Sequence, residues 1–237
     1  MQKEVYKRHI NNYSNHWWFQ ARKKIIFKII GEIKLKRNLK ILDFGAGSGV
    51  NTEMLSVFGK VDVFEKNKIA LNFLRKNIKI NKSFSNLTMK ENHYDFILLA
   101  DVIEHIKKPK NTLAFLKKIL KKNGYILITV PAYQFLFSKK DETLGHFRRY
   151  DKKSLLKEIY NFKLEKISYF NTLLFPLISL VTLWNKFFKV DYIKDVEKTP
   201  NFILNKFLYV IFSIESYLLK IFNFPFGISI YVLLKND

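Results

Sequence analysis

The chain predicts a doubly wound α/β sheet, and three observations carry that expectation. An apolar strand runs into a glycine-rich loop over residues 40–49, a short alternating strand ends in an acid at Glu65, and a near-continuous apolar run fills residues 94–100. Strands of this kind alternating with helical patterns argue for a parallel sheet covered on both faces. At 237 residues the chain is long enough for one full α/β domain with a sizeable core and a small cap.

The first element is a helix. Trp18, Phe19, Arg22, Ile25, Ile26, Ile29 and Ile30 recur at three- and four-residue steps, which predicts one apolar face. Such a helix either packs into a core or works as a lid, with aromatic faces that favour a cation and Arg22 placed to clamp a carboxylate. Leu39, Ile41 and Leu42 then form a buried strand that reaches Asp43, and Gly45, Gly47 and Gly49 let the next turn bring bare backbone to a ligand. This is the pattern of a nucleotide cradle. Val50 stands where the dinucleotide fingerprint needs a small residue, which disfavours NAD and FAD. Lys60 to Glu65 follows as a strand, placing Glu65 about twenty residues after the loop, where Rossmann-like folds hold a ribose-binding carboxylate. An isolated acid there is also a plain solvated strand end; the glycine loop favours the binding role.

The run Tyr94 to Ala100 predicts a central strand, followed by Asp101-Val102-Ile103-Glu104-His105. A helix is expected from about Asn111 to Lys122, closed by Asn123-Gly124, and then a strand Tyr125–Val130 stopped by Pro131. The loop after it, Pro131 to Ser138 and Asp141 to Asp151, leaves the carboxyl edge of the sheet, where open α/β folds bind ligands. His146 is the candidate general base there, with a structural hydrogen-bonding role as its alternative. Arg148 and Arg149 suit a phosphate or carboxylate, and Asp151 reads as the N-cap of a helix from Lys152. His105 either braces its turn or touches substrate. Glu142 and His146 stand at metal-ligand spacing but lack a third ligand in the sequence, so no metal is expected.

The C-terminal third changes character. Ile167 to Trp184 carries no charge, a polar link covers 185–201, and Phe202-Ile203-Leu204 and Phe207 to Phe226 are apolar again. Asn171 and Pro176 interrupt the first run, and Lys206, Glu215 and Lys220 the second, so two helices capping an acceptor site are expected rather than membrane spans; interfacial membrane contact is the alternative. The net charge of +22 comes almost wholly from scattered lysines, without a nucleic-acid reader motif, so nucleic acid is not expected as a partner. The chain has no cysteine, and residues 1–15 are polar without an apolar signal core; both fit a cytoplasmic protein.

Taken together, these residues resemble the class I S-adenosylmethionine-dependent methyltransferases. Asp43-Phe44-Gly45-Ala46-Gly47-Ser48-Gly49 is similar to their D-x-G-x-G-x-G loop, and His16-Trp17-Trp18-Phe19 with Arg22 resembles the H-W-W-F-x-x-R cap of a bacterial group. Asp101 to His105 resembles that group's D-V-L-E-H segment, and Val130 to Tyr150 its V-P-A-Y…D…G-H-x-R-R-Y stretch. The resemblance implies S-adenosyl-L-methionine as cofactor, held by Trp18, Arg22, Asp43, Gly45, Ala46, Gly47, Glu65, Lys66, Asp101 and Val102. It also implies Tyr133, Arg148 and Arg149 at the acceptor, and His146 and Tyr150 in catalysis. A sheet of about seven strands is implied, with Lys163 to Tyr169 sixth and an antiparallel last strand over Gly227 to Leu234. The expected organisation is a cap over 1–38, a Rossmann-like core over 39–170, an apolar helical insertion over 171–225 and the last strand over 226–237. The expected acceptor is a small or lipid-linked molecule, glycans included, with an anionic inner membrane surface as a further partner; no oligomeric state is legible. Two alternatives are a nicotinamide oxidoreductase and a non-catalytic basic membrane-surface protein that keeps the cofactor fold.

Overall fold

The computed structural model of the chain describes residues 10, 12, 14–33, 35, 38–159, 161–188 and 199–237. Seven strands form one sheet: β1 (Leu39–Phe44), β2 (Gly59–Phe64), β3 (Lys82–Phe84), β4 (Tyr94–Ala100), β5 (Leu120–Pro131), β6 (Lys163–Phe170) and β7 (Ser229–Lys235). They lie in the order β3-β2-β1-β4-β5-β7-β6. The first five are parallel, and β7 inserts antiparallel between β5 and β6. The chain crosses over between β1 and β4, so their carboxyl ends flank the crevice where this topology accepts ligands.

Alternation along the strands builds two cores. Ile97, Leu99, Ile126 and Ile128 face one side, and Phe96, Leu98 and Leu127 the other. The first side is covered by α4 (Pro109–Ile119) and α6 (Lys152–Glu158) through Leu113, Leu116, Ile119 and Leu155. The second is covered by α1 (Trp17–Glu32), α2 (Val50–Leu55), α3 (Lys68–Asn77) and α8 (Phe202–Leu218). As its periodicity predicts, α1 buries Phe19, Arg22, Ile25, Ile26, Ile29 and Ile30. It also packs on α8: Trp18 lies 5.3 Å from the Phe212 ring, and the Trp17 N–H donates to Asn205 Oδ1 at 2.9 Å. The remaining helices are α5 (Lys139–Leu144) and α7 (Phe175–Phe187). The insertion thus supplies α7 and α8, while the middle of the expected polar link, residues 189–198, lies outside the described residues.

One boundary differs from expectation. α4 ends at Ile119, and Asn123-Gly124 lies inside β5 rather than closing the helix. The cap comes instead from the far end of the chain: the Asn236 amide donates to the carbonyls of Lys117, Leu120 and Lys121. With those carbonyls satisfied, Leu120 joins β4, and Asn123 absorbs the irregularity at φ 63°.

Candidate active site

A cavity of about 1040 Å³ opens at the carboxyl ends of β1, β2 and β4. It lies at the upper end of the roughly 300–1,000 Å³ common for small-ligand pockets, enough for a cofactor together with an acceptor.

Its cofactor side is made by backbone geometry. Gly45, Gly47 and Gly49 have φ of 80°, 57° and 81°, the left-handed region that glycine enters without a side-chain clash. A Cβ on Gly45 would stand 2.7 Å from Val102 Cγ2, and one on Gly49 2.1 Å from Ile78 Cδ1. A Cβ on Gly47 would meet the Gly45 carbonyl at an ordinary 3.9 Å, and the Gly47 N–H donates to Glu65 Oε2 at 2.9 Å. The other oxygen, Oε1, accepts from the Asn67 N–H at 2.7 Å, so the carboxylate is pinned at the end of β2 with lone pairs remaining for hydroxyl donors. Ala46, Lys66 and Val102 complete this wall.

At the end of β4, Asp101 adopts φ 57°, a strained value for a residue with a side chain. Its N–H reaches the Thr129 carbonyl, the Thr129 hydroxyl donates to its Oδ1 at 2.8 Å, and its Oδ2 pairs with Arg22 from α1. Burial lowers Arg22 to about 10 against the pull of Glu104 and Asp43, and its Nε–H is buried without a partner. Trp18 lines the cavity beside it. The cap and the sheet therefore meet through one ion pair at the cavity wall.

The opposite wall carries a denser cluster. Asp141, the N3 residue of α5, accepts from the Ser138 N–H at 2.9 Å in a capping box. The same carboxylate receives Arg149 through Nε at 2.8 Å and Nη2 at 3.0 Å, and it meets His146 Nδ1 at 2.8 Å. Burial would raise Asp141, but the bonds from His146 and Arg149 outweigh it and hold the carboxyl well below the ordinary range. Beside it, Glu104 is fully buried, and neither carboxylate oxygen has a hydrogen-bond partner. Burial pushes Glu104 up to about 8; the nearby backbone N–H of its own residue, then Arg22 and Arg149, oppose the shift, and the Asp141 charge adds to it. Its own carbonyl accepts the Phe147 N–H at 2.8 Å, which ties the turn after β4 to the His146 loop.

Ligand atoms of Glu104, His105 and His146 lie within 4.8 Å of one another, and the two imidazoles meet edge to face at 4.6 Å. Among the described residues, His146 finds metal-ligand company in Glu104 and His105 rather than in Glu142. One carboxylate and two imidazoles can hold a divalent cation or share a proton.

Several expected site residues stand elsewhere. Asp43 lies behind the loop, where it accepts from the Thr52 hydroxyl at 2.6 Å; burial pushes it up to about 6 against that bond. It does not line the cavity. Tyr150 is a core residue: its backbone bridges Pro131 and Tyr133, its ring joins the apolar cluster, and burial pushes its hydroxyl up to about 12. Tyr133 stacks on Tyr169 at 5.2 Å, away from the cavity. Arg148 donates to the Lys107 carbonyl, and Arg149 lines the cavity with its fork committed to Asp141. Asp151 caps α6 as expected, accepting the Ser154 N–H at 2.6 Å. Glu104 was not among the expected site residues, although it stands in the Asp101–His105 segment that resembles the D-V-L-E-H motif and is an acid between Ile103 and His105.

A family model described as a methyltransferase domain matches residues 16–173, from the start of the cap to the entry of the insertion. The chain belongs to this methyltransferase family. Among curated relatives, the methyltransferase is 30% identical over 122 residues to a ubiquinone biosynthesis O-methyltransferase of Pelagibacter ubique, covering 46% of this chain and 51% of that protein. It is 26% identical over 138 residues to an uncharacterized Methanocaldococcus jannaschii protein, covering 57% of this chain and 60% of the relative. A polyketide synthase of Dictyostelium discoideum is 32% identical over 91 residues, 38% of this chain but 3% of that protein. The matches thus span no more than 60% of these relatives.

Solved structures share the fold. The crystal structure of a SAM-dependent methyltransferase from Archaeoglobus fulgidus aligns at a TM-score of 0.59 and 15% identity, covering 91% of this chain and 93% of that one. One from Thermotoga maritima aligns at 0.58 and 16% identity over 100% of both chains. The Archaeoglobus protein depends by its name on S-adenosyl-L-methionine. The residues present in this chain fit it: a glycine cradle that a Cβ would obstruct at Gly45, and a carboxylate at Glu65 with lone pairs to offer. Neither alternative, oxidoreductase or non-catalytic surface protein, finds support in the family match.

Proposed function

We propose that this methyltransferase transfers a methyl group to a hydroxyl or amine of an amphiphilic acceptor, with Glu104 taking up the proton that the nucleophile gives up. The observation that carries the reading is the buried Glu104 carboxylate on the cavity wall, with both oxygens unpartnered. A buried acceptor in that state is costly unless a ligand donates to it, which selects a nucleophile bearing a proton.

Bound S-adenosyl-L-methionine supplies an electrophilic methyl on its sulfonium. Glu65 accepts the ribose hydroxyls while the Gly47 and Asn67 N–H groups hold its carboxylate in place. Arg22, anchored by Asp101, offers its unpartnered Nε–H at the methionine end, and Trp18 screens that end from water. On the other wall, the Asp141 carboxylate facing His146 Nδ1 fixes the tautomer whose Nε2 accepts. With S-adenosyl-L-methionine bound, the transfer would leave S-adenosylhomocysteine, and Glu104, with His146 as a second acceptor, would take up the proton that the nucleophile gives up. Methyl transfer is an in-line displacement, so alignment and exclusion of water supply much of the rate. The amphiphilic preference is supported by Ile178, Thr182 and Pro200 of the insertion, which extend the cavity wall beyond the Glu104 cluster.

The test is release of S-adenosylhomocysteine with alkyl-chain phenols, alcohols and amines, against the same headgroups without a chain. The reading expects chain-bearing phenols or amines to turn over and Glu104→Gln to stop them. Turnover confined to acceptors without a dissociable proton would refute it.

A further inference from the structure

The insertion is folded inside out. Along α8, Ile203, Phe207, Val210, Ile214 and Tyr217 recur at alternating four- and three-residue steps, the spacing of a core-facing stripe, yet every one is exposed. The face that α8 buries carries Ser213, Glu215 and Ser216 beside Phe212. On α7, Leu177, Leu180, Trp184 and Phe187 repeat the pattern outward, with Trp184 63% and Phe187 80% exposed, while Ser179 is the buried residue. Only part of the inward polar set is satisfied locally: Ser216 donates to the Ser213 carbonyl at 2.7 Å, and Glu215 Oε1 accepts the Leu173 N–H at 2.8 Å, while Ser179 Oγ, Ser213 Oγ and Glu215 Oε2 are buried without a partner. Apolar stripes left exposed along two helices mark an interaction site rather than ordinary surface composition.

We propose that the outer faces of α7 and α8 seat the protein on an anionic lipid bilayer, with the cavity mouth at the interface. Charge selects this occupant over a second copy of the chain. The protein carries a net +22, so apposing two copies brings like charges together, whereas an anionic surface neutralises them. Within α7 and α8 the charged residues are Lys186, Lys206 and Glu215, and the acid is the one turned inward. Lys24 and Lys28 of α1 extend the basic rim, lying 5.0 Å and 4.8 Å from the Tyr217 ring. Among the described residues no helix is long and apolar enough to cross a membrane, so the helices lie in the interface. Ile178 and Thr182 of α7 line the cavity, which makes the docking face continuous with the acceptor wall. Docking stands independently of the methyl-transfer reading; delivery of a lipid-anchored acceptor rests on it.

The experiment is flotation of the full chain, without cofactor or acceptor, on vesicles of phosphatidylcholine alone and of phosphatidylcholine with phosphatidylglycerol. The expected result is binding selective for the anionic vesicles, weakened by salt, and reduced roughly tenfold or more in the triple variant Trp184→Glu, Phe187→Glu, Ile203→Glu. These side chains are exposed, so the variant should keep the parent's melting temperature and S-adenosylhomocysteine affinity; if it does not, Lys186→Glu with Lys206→Glu provides the same comparison on the rim. Absence of binding by the folded parent, or equal flotation of parent and variants, overturns the proposal. So does a parent dimer in solution that the triple variant dissociates, which would assign the face to a second copy. Either outcome leaves methyl transfer untouched.

Discussion

The two walls of the cavity differ in how far they are complete. On the cofactor wall the carboxylates are already held, Glu65 by two N–H donors and Asp101 by Arg22 and Thr129, and what is left over is a donor, the Arg22 Nε–H. On the acceptor wall, Asp141 gathers His146 and Arg149, but Glu104 beside it has nothing. The difference teaches where the missing partner belongs. A preorganised half binds a ligand common to many methyltransferases, and an unsatisfied half waits for the particular molecule that supplies a proton donor.

The largest effect that would break this comparison is at Glu104. Glu104→Gln keeps the shape and removes the proton acceptor, so turnover should fall by about 10² to 10⁴. Affinity for S-adenosylhomocysteine should change far less than turnover, since Glu104 reaches the cofactor wall only through its charge on Arg22. Steady-state assays and titration calorimetry read the two effects separately.

Next is Glu65→Ala, which removes a charged acceptor from the cofactor wall and strands the Gly47 and Asn67 N–H groups. Cofactor binding should weaken by about 1.5–3 kcal/mol in calorimetry. A variant that binds as tightly as the parent would mean that the wall is not the cofactor half.

A smaller effect is expected from Asp141→Asn, which releases His146 and Arg149 together. Because the folded-state Asp141 pKa is depressed, its stabilisation is present above the ordinary aspartate range and is lost as pH falls through the folded value. The variant should therefore melt lower than the parent at neutral pH, with the gap closing in strong acid. Glu104 and Glu215 act with the opposite sign. Their folded pKa values are raised to about 8 and about 7, so the stability they permit below the unfolded glutamate value is lost as pH rises through those points. Melting temperature should decline from pH 5 to pH 9, and Glu104→Gln should flatten the decline.

The same contrast explains what could be read from the sequence. The cofactor wall is written as patterns that each can be read in a short stretch: a strand, three glycines needing positive φ, and an acid at the end of the next strand. The α1 stripe and the Asp151 cap were legible for the same reason. The acceptor wall follows no such pattern, so residue type alone misplaced its parts. Tyr150 is drawn into the core by the backbone bridge to Pro131 and Tyr133, and Arg149 is taken up by Asp141. Glu104 looks like a turn acid until the His146 loop folds over it through the Phe147 N–H. The end of α4 was misread because Asn236, which caps it, arrives from the other end of the chain. In α8 the apolar period announces a helix but not which way it faces, and there the serines and Glu215 occupy the buried side.

The central claim is that the unpartnered carboxylate on the acceptor wall receives the proton. The pH dependence of kcat/KM, measured in parent and Glu104→Gln with one responsive acceptor whose own ionisation lies outside the range, tests it most directly. Since Glu104 must be ionised to accept a proton and burial places its pKa at about 8, activity of the parent should climb through that pH and level off above it. In Glu104→Gln the residual activity should lose that step. A parent profile flat between pH 6 and pH 9, or a variant that keeps the step, would contradict the account.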